Sequence, residues 1–190
     1  MKIQNILVFG VMSWLASGSA LGQAAEGTLL DLVKIKSGVK SRRVSSYDQS
    51  GGNNDRFENI PDGQRRTLFQ VEGAGMIKHI WITIAPPPPA LSRNDIILRM
   101  YWDGEQTPSV EVPLGDFFAN GHAMRCLVAS VPVCVNPNGG MNCYWPMPFQ
   151  KSARLTVTNE HGEDLGAFFY QINYALTHVP ADAARLHAQW

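Results

Sequence analysis

The chain has 190 residues, of which 45% are hydrophobic, 17 are glycine and 12 are proline. Lysine plus arginine and aspartate plus glutamate number 16 each, so the sequence has no excess of positive charge with which to attract nucleic acid. This composition excludes a disordered chain and is typical of one turn-rich globular domain.

The first 24 residues are predicted to be a secretory signal peptide. Lys2 precedes an apolar run over residues 6–15, and small residues between 18 and 24 offer cleavage patterns. The apolar run is too short for a membrane span. We therefore expect the mature chain, residues 25–190, to be secreted or periplasmic, to have no membrane span and to form a single domain.

A stretch without aliphatic side chains follows a short amphipathic helix that the leucine and valine spacing predicts over residues 27–35. We call residues 45–56 the polar loop, because burying so many polar groups in a strand would not be compensated. Gly51-Gly52 permits a tight turn that could direct Asp48 and Asp55 toward one place. The loop is either a solvated turn or a binding loop for a sugar or a cation, although its spacing is not that of an EF-hand.

Short strands separated by turn residues are predicted for the rest of the chain. Asp103-Gly104 indicates a hairpin, and Pro132 indicates an edge or interrupted strand. A short helix is expected near the end, over 181–188. The predicted strands are 67–72, 76–85, 95–102, 109–114, 127–135, 153–159 and 167–177, with the prolines at 86–89 leaving the sheet as an extended loop. This pattern predicts an all-β sandwich or jelly roll.

Side chains suited to hydrolysis occur, but the sequence does not pair them. Hydrolysis of a glycosidic bond needs two carboxyl groups at a defined separation. His79 and Trp81 lie on one face of the strand 76–85 and could form the floor of a sugar site, although we expect His79 to be a hydrogen-bonded structural residue and Trp81 to pack in the core. Asp116, after Gly115 at a strand end, fits a site or an ordinary turn. The candidate carboxylates are Asp48, Asp55, Glu58, Glu72, Glu111 and Asp116.

The three cysteines are interpreted as structural. Cys126, Cys134 and Cys143 lack the spacing of a zinc site, and two of them could pair in an oxidising compartment. The sequence contains no phosphate loop and no dinucleotide fingerprint, so we predict neither a metal nor a cofactor.

Several ordered blocks resemble glycoside hydrolase family 172, formerly domain of unknown function 2961, over nearly all of residues 28–190. The resemblance implies a jelly-roll β-sandwich, cleavage or rearrangement of fructo- and arabinofuranosides, and assembly as a homotrimer or a hexamer. The blocks are the polar loop, Gly73-Ala74-Gly75 with Ile80-Trp81, residues 113–118, residues 147–149, and residues 169–174 with 187–190.

The sequence also departs from that family. Family members continue into a second jelly roll with two catalytic glutamates, for which this sequence has no counterpart. We therefore assign no catalytic residue and expect the first half of a double jelly-roll enzyme, apparently truncated, with an apolar patch where the second half would pack. The alternative is a non-catalytic carbohydrate-binding or structural module. The candidate substrate-binding residues are Tyr47, Asp48, Asn53, Asn54, Asp55, Trp81 and Asp116, and the expected partners are a furanoside carbohydrate and the second jelly-roll half.

Overall fold

The computed structural model describes residues 37–86 and 90–190, and almost all of its regular structure is β-strand. The predicted signal peptide, the helix over 27–35 and most of the proline run lie outside the described residues. Arg93–Asp95 forms a single 3₁₀ turn and Leu114–Phe117 forms one turn of α-helix, α1. The strands of the described part, β1 to β13, are Lys40–Ser45, Phe57–Ile60, Arg65–Glu72, Gly75–Ala85, Ile96–Trp102, Val110–Pro113, Val128–Ala129, Val133–Val135, Met141–Cys143, Met147–Phe149, Ser152–Asn159, Leu165–Leu176 and Ala188–Gln189.

The strands form two sheets with the connectivity of a jelly roll. The eight-stranded sheet has the order β1-β12-β4-β9-β8-β7, with β2 also paired to β12 and β10 to β4. The five-stranded sheet has the order β13-β6-β5-β11-β3. From β3 onward the chain crosses repeatedly from one sheet to the other. Each sheet therefore combines early and late strands, as in a jelly roll. The prediction of an all-β jelly-roll sandwich is confirmed.

The core lies between the inner faces of the two sheets. Ile80, Ile82 and Ile84 alternate along β4 and point inward, because side chains two residues apart in a strand share a face. Trp102 of β5 is fully buried, and its indole N–H donates to the carbonyl of Leu186 at 2.8 Å, so its one polar group is satisfied. The isoleucines therefore occupy the inner face of β4 and leave its other side chains to the outer face.

A bulge shifts the alternation of β4. Asn173 of β12 pairs with His79 and Tyr174 pairs with Ile77, so Lys78 is the extra residue in β4. A bulge lets consecutive residues of one strand face the same side. Lys78 and His79 thus both lie off the core, while Ile77 and Ile80 are fully buried on either side of them.

Most predicted strands are present, and the predicted helix over 181–188 is wrong. This segment begins with a turn at 181–182, continues without regular secondary structure and ends in β13, which pairs in parallel with β6. The Arg185 guanidinium bonds the Asp103 carboxylate at 2.6 Å, and Trp102 holds the Leu186 carbonyl. These tertiary contacts outweigh the helix propensity of the alanines. The interrupted strand at Pro132 is confirmed as β7 and β8, at the edge of the eight-stranded sheet.

Candidate functional site

The polar loop lies over the outer face of the eight-stranded sheet and forms one wall of a pocket of about 380 Å³, which we call the loop-side pocket. Its floor comes from β4 and β12, and its wall comes from the end of β1 and the polar loop. The residues that line it are Ser45, Ser46, Tyr47, Asn53, Asp55, Trp81, Phe169, Tyr170 and Gln171.

The floor is a row of outward side chains set by strand register. Ser45 pairs with Gln171, Gln171 pairs with Trp81, and Trp81 pairs with Asn142 across four neighbouring strands. Trp81 and Gln171 are half-buried on this outer face. The expectation that Trp81 packs in the core is therefore wrong, because the isoleucines of β4 already occupy the inner face. The alternative of a sugar-site floor agrees with this placement.

Asp48 organises the polar loop from within. Its Oδ1 accepts hydrogen bonds from the Ser50 hydroxyl at 2.6 Å and the Ser50 amide at 2.9 Å, and its Oδ2 accepts one from the Asn54 amide at 3.2 Å. These donors, first of all the Ser50 hydroxyl, lower the pKa of the Asp48 carboxyl below its ordinary value. Gly52 lies next to this carboxylate. A Cβ on Gly52 would be 2.6 Å from Asp48 Oδ2, so a larger residue there would push the carboxylate away. Asp48 therefore stays ionised and holds the turn closed.

Asp55 closes the other end of the loop and also faces the pocket. Its Oδ1 accepts the Asp48 amide at 2.7 Å, while its carbonyl accepts the hydroxyl of buried Ser46 at 2.8 Å. Ser46 in turn exchanges hydrogen bonds with the Tyr170 backbone, at 3.0 and 3.1 Å. The loop is thus fastened to β12, and the Asp55 side chain is held at the pocket wall.

A polar network continues the outer face beside the pocket. Arg43 Nε donates to Asn173 Oδ1 at 2.8 Å, which leaves the Asn173 amide nitrogen to donate to His79 Nδ1 at 3.0 Å. His79 Nε2 then carries the proton and lies 3.1 Å from Asn142 Oδ1. The Tyr144 ring stacks on the imidazole, with centroids 4.6 Å apart. His79 is therefore held by hydrogen bonds at both nitrogens, in agreement with the structural interpretation.

The predicted site residues do not all come together. Tyr47, Asn53, Asp55 and Trp81 line the loop-side pocket. Asp48 and Asn54 are joined within the loop by the bond described above. Asp116 lies elsewhere, in a pocket of about 320 Å³ beside Phe117, Trp145 and Trp190, where its Oδ1 accepts the Asn94 side-chain amide at 3.3 Å.

Phe169 and Gln171 were not among the predicted site residues. They belong to the outward set of β12, which alternates with the buried set Phe168, Tyr170 and Ile172. This alternation is visible in the sequence. What the sequence does not show is that β12 lies next to β4 and beneath the polar loop, because that depends on sheet order.

The carboxylates available at the pocket do not form a hydrolytic pair. Asp55 is the one acidic side chain among the described lining residues, and none of those residues is basic. Glu111, another candidate, bonds Arg99 at 2.6 Å on the outer face of the other sheet. Asp48, the neighbouring carboxylate, does not line the pocket, and its lowered pKa keeps it from serving as the acid that hydrolysis by two carboxyl groups requires. The lining of the pocket offers aromatic surface, hydrogen-bonding groups and one carboxylate.

The cysteines are free thiols in the structure. Cys143 is packed in the core, and burial raises its pKa to about 11, so it is a small apolar residue rather than a nucleophile. Cys126 is exposed, and Cys134 donates to Asn136 Oδ1 at 3.3 Å.

Within residues 37–86 and 90–190, no group of three or more histidine, cysteine or acidic side chains is placed to hold a metal ion. The same part of the chain has no helix long and apolar enough to span a membrane.

Comparison with known proteins gives one family. The family model described as GH172 first beta-sandwich domain matches residues 37–179. No curated protein matches the chain. Among the solved structures that match is that of infectious bursal disease virus, Gx strain, with 12% sequence identity and a TM-score of 0.34. That alignment covers 73% of this chain and 32% of the viral chain, so the present chain spans about a third of it.

Proposed function

The chain belongs to the family of GH172 first β-sandwich domains, and from this premise we propose that it is the substrate-binding N-terminal jelly roll of an exported glycoside hydrolase acting on fructo- or arabinofuranosides. The observation that carries the proposal is the loop-side pocket. It combines the aromatic rings of Tyr47, Trp81 and Phe169 with hydroxyl, amide and carboxylate groups over the sheet. Such a combination of apolar surface and a few convergent polar groups is typical of small-molecule sites.

A furanose ring fits the chemistry of this pocket. The C–H faces of a sugar can pack on the rings of Trp81, Tyr47 and Phe169, and its hydroxyl groups can bond Asp55 and Gln171. An ionised carboxylate accepts strong hydrogen bonds from hydroxyl donors. Because the described lining contains no lysine or arginine, a phosphate or carboxylate ligand would meet no counter-charge there.

Catalysis in this proposal depends on groups supplied by a second β-sandwich. Asp55 has no acidic partner in the described lining of the pocket, and ionised Asp48 cannot donate a proton as a general acid near neutral pH. An apolar surface beside β13 supports a second half as partner. Trp190 is 84% exposed there and Trp145 is 50% exposed, and with Phe117 and Leu186 they surround the pocket that contains Asp116.

The single carboxylate also favours a second candidate function, a non-catalytic carbohydrate-binding module. Both candidates use the loop-side pocket in the same way. They differ in whether the bound sugar is brought to a catalytic pair on another domain.

Activity measurements separate the two. The full chain is assayed on an aryl α-arabinofuranoside and on a fructofuranoside, alone and mixed with the second β-sandwich of a family member. We expect turnover only in the mixture. Sugar binding without turnover in either sample would favour the binding module, and turnover by the chain alone would contradict the assignment of catalysis to the second half.

Binding is tested by substitution at the floor. We expect Trp81→Ala to weaken binding of methyl α-arabinofuranoside at least tenfold, because it removes the central aromatic surface of the pocket. The matched control is Trp145→Ala, which alters an exposed tryptophan outside the pocket and should leave the affinity unchanged. Titration by NMR measures both, and equal affinities for wild type and Trp81→Ala would contradict the proposed site.

Export and assembly are further parts of the proposal. Export is tested by recovering the chain from the periplasm or medium of an expressing bacterium and sequencing its new amino terminus, expected near residue 25. A homotrimer or hexamer, as the resemblance implies, is tested by light scattering of the purified chain. Recovery of the intact chain in the cytoplasm would contradict export, and a monomer at all concentrations would contradict the assembly.

A further inference from the structure

Trp81 lines a second pocket as well as the first. This pocket, of about 350 Å³, is formed by Trp81, Thr83, Asn136, Pro137, Asn138 and Gly140, and we call it the hairpin-side pocket. Trp81 lies on β4, between β12 and β9. Strand β12 supplies the floor of the loop-side pocket, and β9 follows the turn over residues 136–140 that connects it to β8. The same indole is therefore shared by two pockets on one face of the sheet.

The hairpin turn is held in a defined position. The Asn136 amide donates to the Gly140 carbonyl and the Gly139 amide donates to the Asn136 carbonyl, both at 2.9 Å. Gly139 has a φ of +87°, which a side chain would strain. Arg93, only 4% exposed, donates to the Gly139 carbonyl at 2.9 Å, and Arg125 donates to the Pro137 carbonyl at 2.5 Å. Two guanidinium groups thus fix the turn from behind.

Within residues 37–86 and 90–190, the buried Arg93 guanidinium forms no ion pair with a carboxylate. Its other hydrogen bond goes to the Asn120 side-chain oxygen at 2.6 Å. Burying a cation costs free energy, and the buried Arg93 Nε has no hydrogen-bond partner among the described residues, so the bonds to Asn120 and to the turn carbonyl are what offset that cost. The turn is exposed on its other side, where Asn138 faces solvent.

The hairpin-side pocket shares Trp81 and uncharged polar groups with the loop-side pocket, but its described lining has no carboxylate. Trp81 supplies aromatic surface, and Thr83, Asn136 and Asn138 supply uncharged donors and acceptors. Gly140 leaves room at the indole edge, because a Cβ there would lie 3.0 Å from Trp81 Nε1. A second sugar ring is the ligand class that this set of groups would bind.

We propose that the loop-side and hairpin-side pockets are adjacent subsites that hold consecutive sugar units of one ligand across Trp81. The inference rests on the proposed sugar binding at the loop-side pocket and extends it. The ligand is therefore at least a disaccharide, and the 136–140 turn determines the preference for longer ligands.

The test compares a monosaccharide with a disaccharide on the full chain. NMR titrations use methyl α-arabinofuranoside and an α-linked arabinofuranosyl disaccharide. We expect the wild type to bind the disaccharide at least tenfold more tightly. Asn138→Ala should lose most of this gain without changing affinity for the monosaccharide, whereas Asn53→Ala, at the loop-side pocket, should weaken both.

Gly140→Ala provides a second variant. Its backbone is not in the left-handed region, so the added methyl group acts on Trp81 rather than on the turn. We expect a reduced preference for the disaccharide, with a melting temperature close to that of the wild type.

Three outcomes would overturn the inference. Equal affinity of the wild type for the two sugars would remove the second subsite and leave the proposed function standing. An equal loss of both affinities in Asn138→Ala would mean one common site. Binding of neither sugar by the wild type would overturn the inference together with the proposed function.

Discussion

Asp103 shows how one residue can join three segments. It lies in the β5–β6 turn with a φ of +57°, and its Oδ1 accepts the amides of Gln150 and Lys151 at 2.7 and 2.6 Å. Its Oδ2 binds Arg185 at 2.6 Å. Burial by itself would raise the pKa of the Asp103 carboxyl, but the hydrogen bonds and the Arg185 charge together lower it below its ordinary value.

We predict that Asp103→Ala lowers the free energy of unfolding by about 1–3 kcal/mol at pH 7, because it leaves these donors unpaired. Asp103→Asn keeps an oxygen acceptor and tolerates the left-handed backbone, so its loss should be smaller. Because the pKa is lower in the folded state, the contribution of the charge is present above the ordinary value of 3.8 and disappears as pH falls through the folded pKa. Urea denaturation of the wild type, Asp103→Ala and Asp103→Asn at pH 7 and pH 3 measures these changes in unfolding free energy. If the loss of unfolding free energy in Asp103→Ala were as large at pH 3 as at pH 7, the predicted contribution of the Asp103 charge would be contradicted.

The positions of single residues in the site could be predicted only in part from the sequence. Trp81 could be assigned to the outer face only by noticing that Ile80, Ile82 and Ile84 already fill the inner one. The polar loop was predicted as a loop, and its residues do form a pocket wall. Asp116 is a candidate because it follows Gly115 at a strand end, yet the structure places it in another pocket. Distances between residues far apart in sequence depend on sheet order, which no local pattern contains.

Elements with strong alternation were predictable, and weakly patterned ones were not. Strands β4 and β12 carry aromatic and β-branched residues in alternation and were expected. Strand β1, with the charged and polar stretch Lys40–Arg43, forms only because it pairs with β12 along its whole length. Strands β9 and β10 are three residues each and have too little sequence to show a period.

The β11–β12 turn is attached to the segment before β5 by a histidine. His161 Nδ1 lies 2.7 Å from Asp95 Oδ2, and Nε2 lies 3.2 Å from the Ala90 carbonyl. Two acceptors flank the ring, so the doubly protonated imidazolium satisfies both. The hydrogen bond to Asp95, more than any other contact, raises the pKa of His161 above its ordinary value.

We predict that this attachment stabilises the fold at mildly acidic pH. A raised folded-state pKa means that the contribution is complete below about 6.5, the unfolded value, and is lost as pH rises through the folded pKa. His161→Phe should therefore be more destabilising at pH 5.5 than at pH 8.5, as measured by urea midpoints. The matched control is His178→Phe, at an exposed histidine of the same domain, against which the pH dependence of His161→Phe is compared. An equal deficit at both pH values in His161→Phe would contradict the ionic attachment.

At the scale of the whole molecule, the loop-side pocket and the apolar surface around Trp145 and Trp190 suit different partners. The loop-side pocket is on the eight-stranded sheet and suits a sugar. The apolar surface around Trp145 and Trp190 adjoins α1 and β13, where an amide-bonded Asp116 is the one acidic residue of the described pocket lining. Exposed tryptophans of this kind are typical of the centres of protein interfaces. The surface therefore agrees with the proposed second β-sandwich.

We predict that Trp145→Ser weakens binding of the second β-sandwich of a family member at least tenfold, which corresponds to about 1.4 kcal/mol. The control is Tyr144→Ser. Tyr144 is the neighbouring aromatic residue and is also 50% exposed, but it stacks on His79 and does not line this surface. Analytical ultracentrifugation of the mixtures measures both affinities. If Tyr144→Ser weakened the complex and Trp145→Ser did not, the second half would dock on the face of the polar network, and the sugar pockets beside it would then lie at the interface between the two halves.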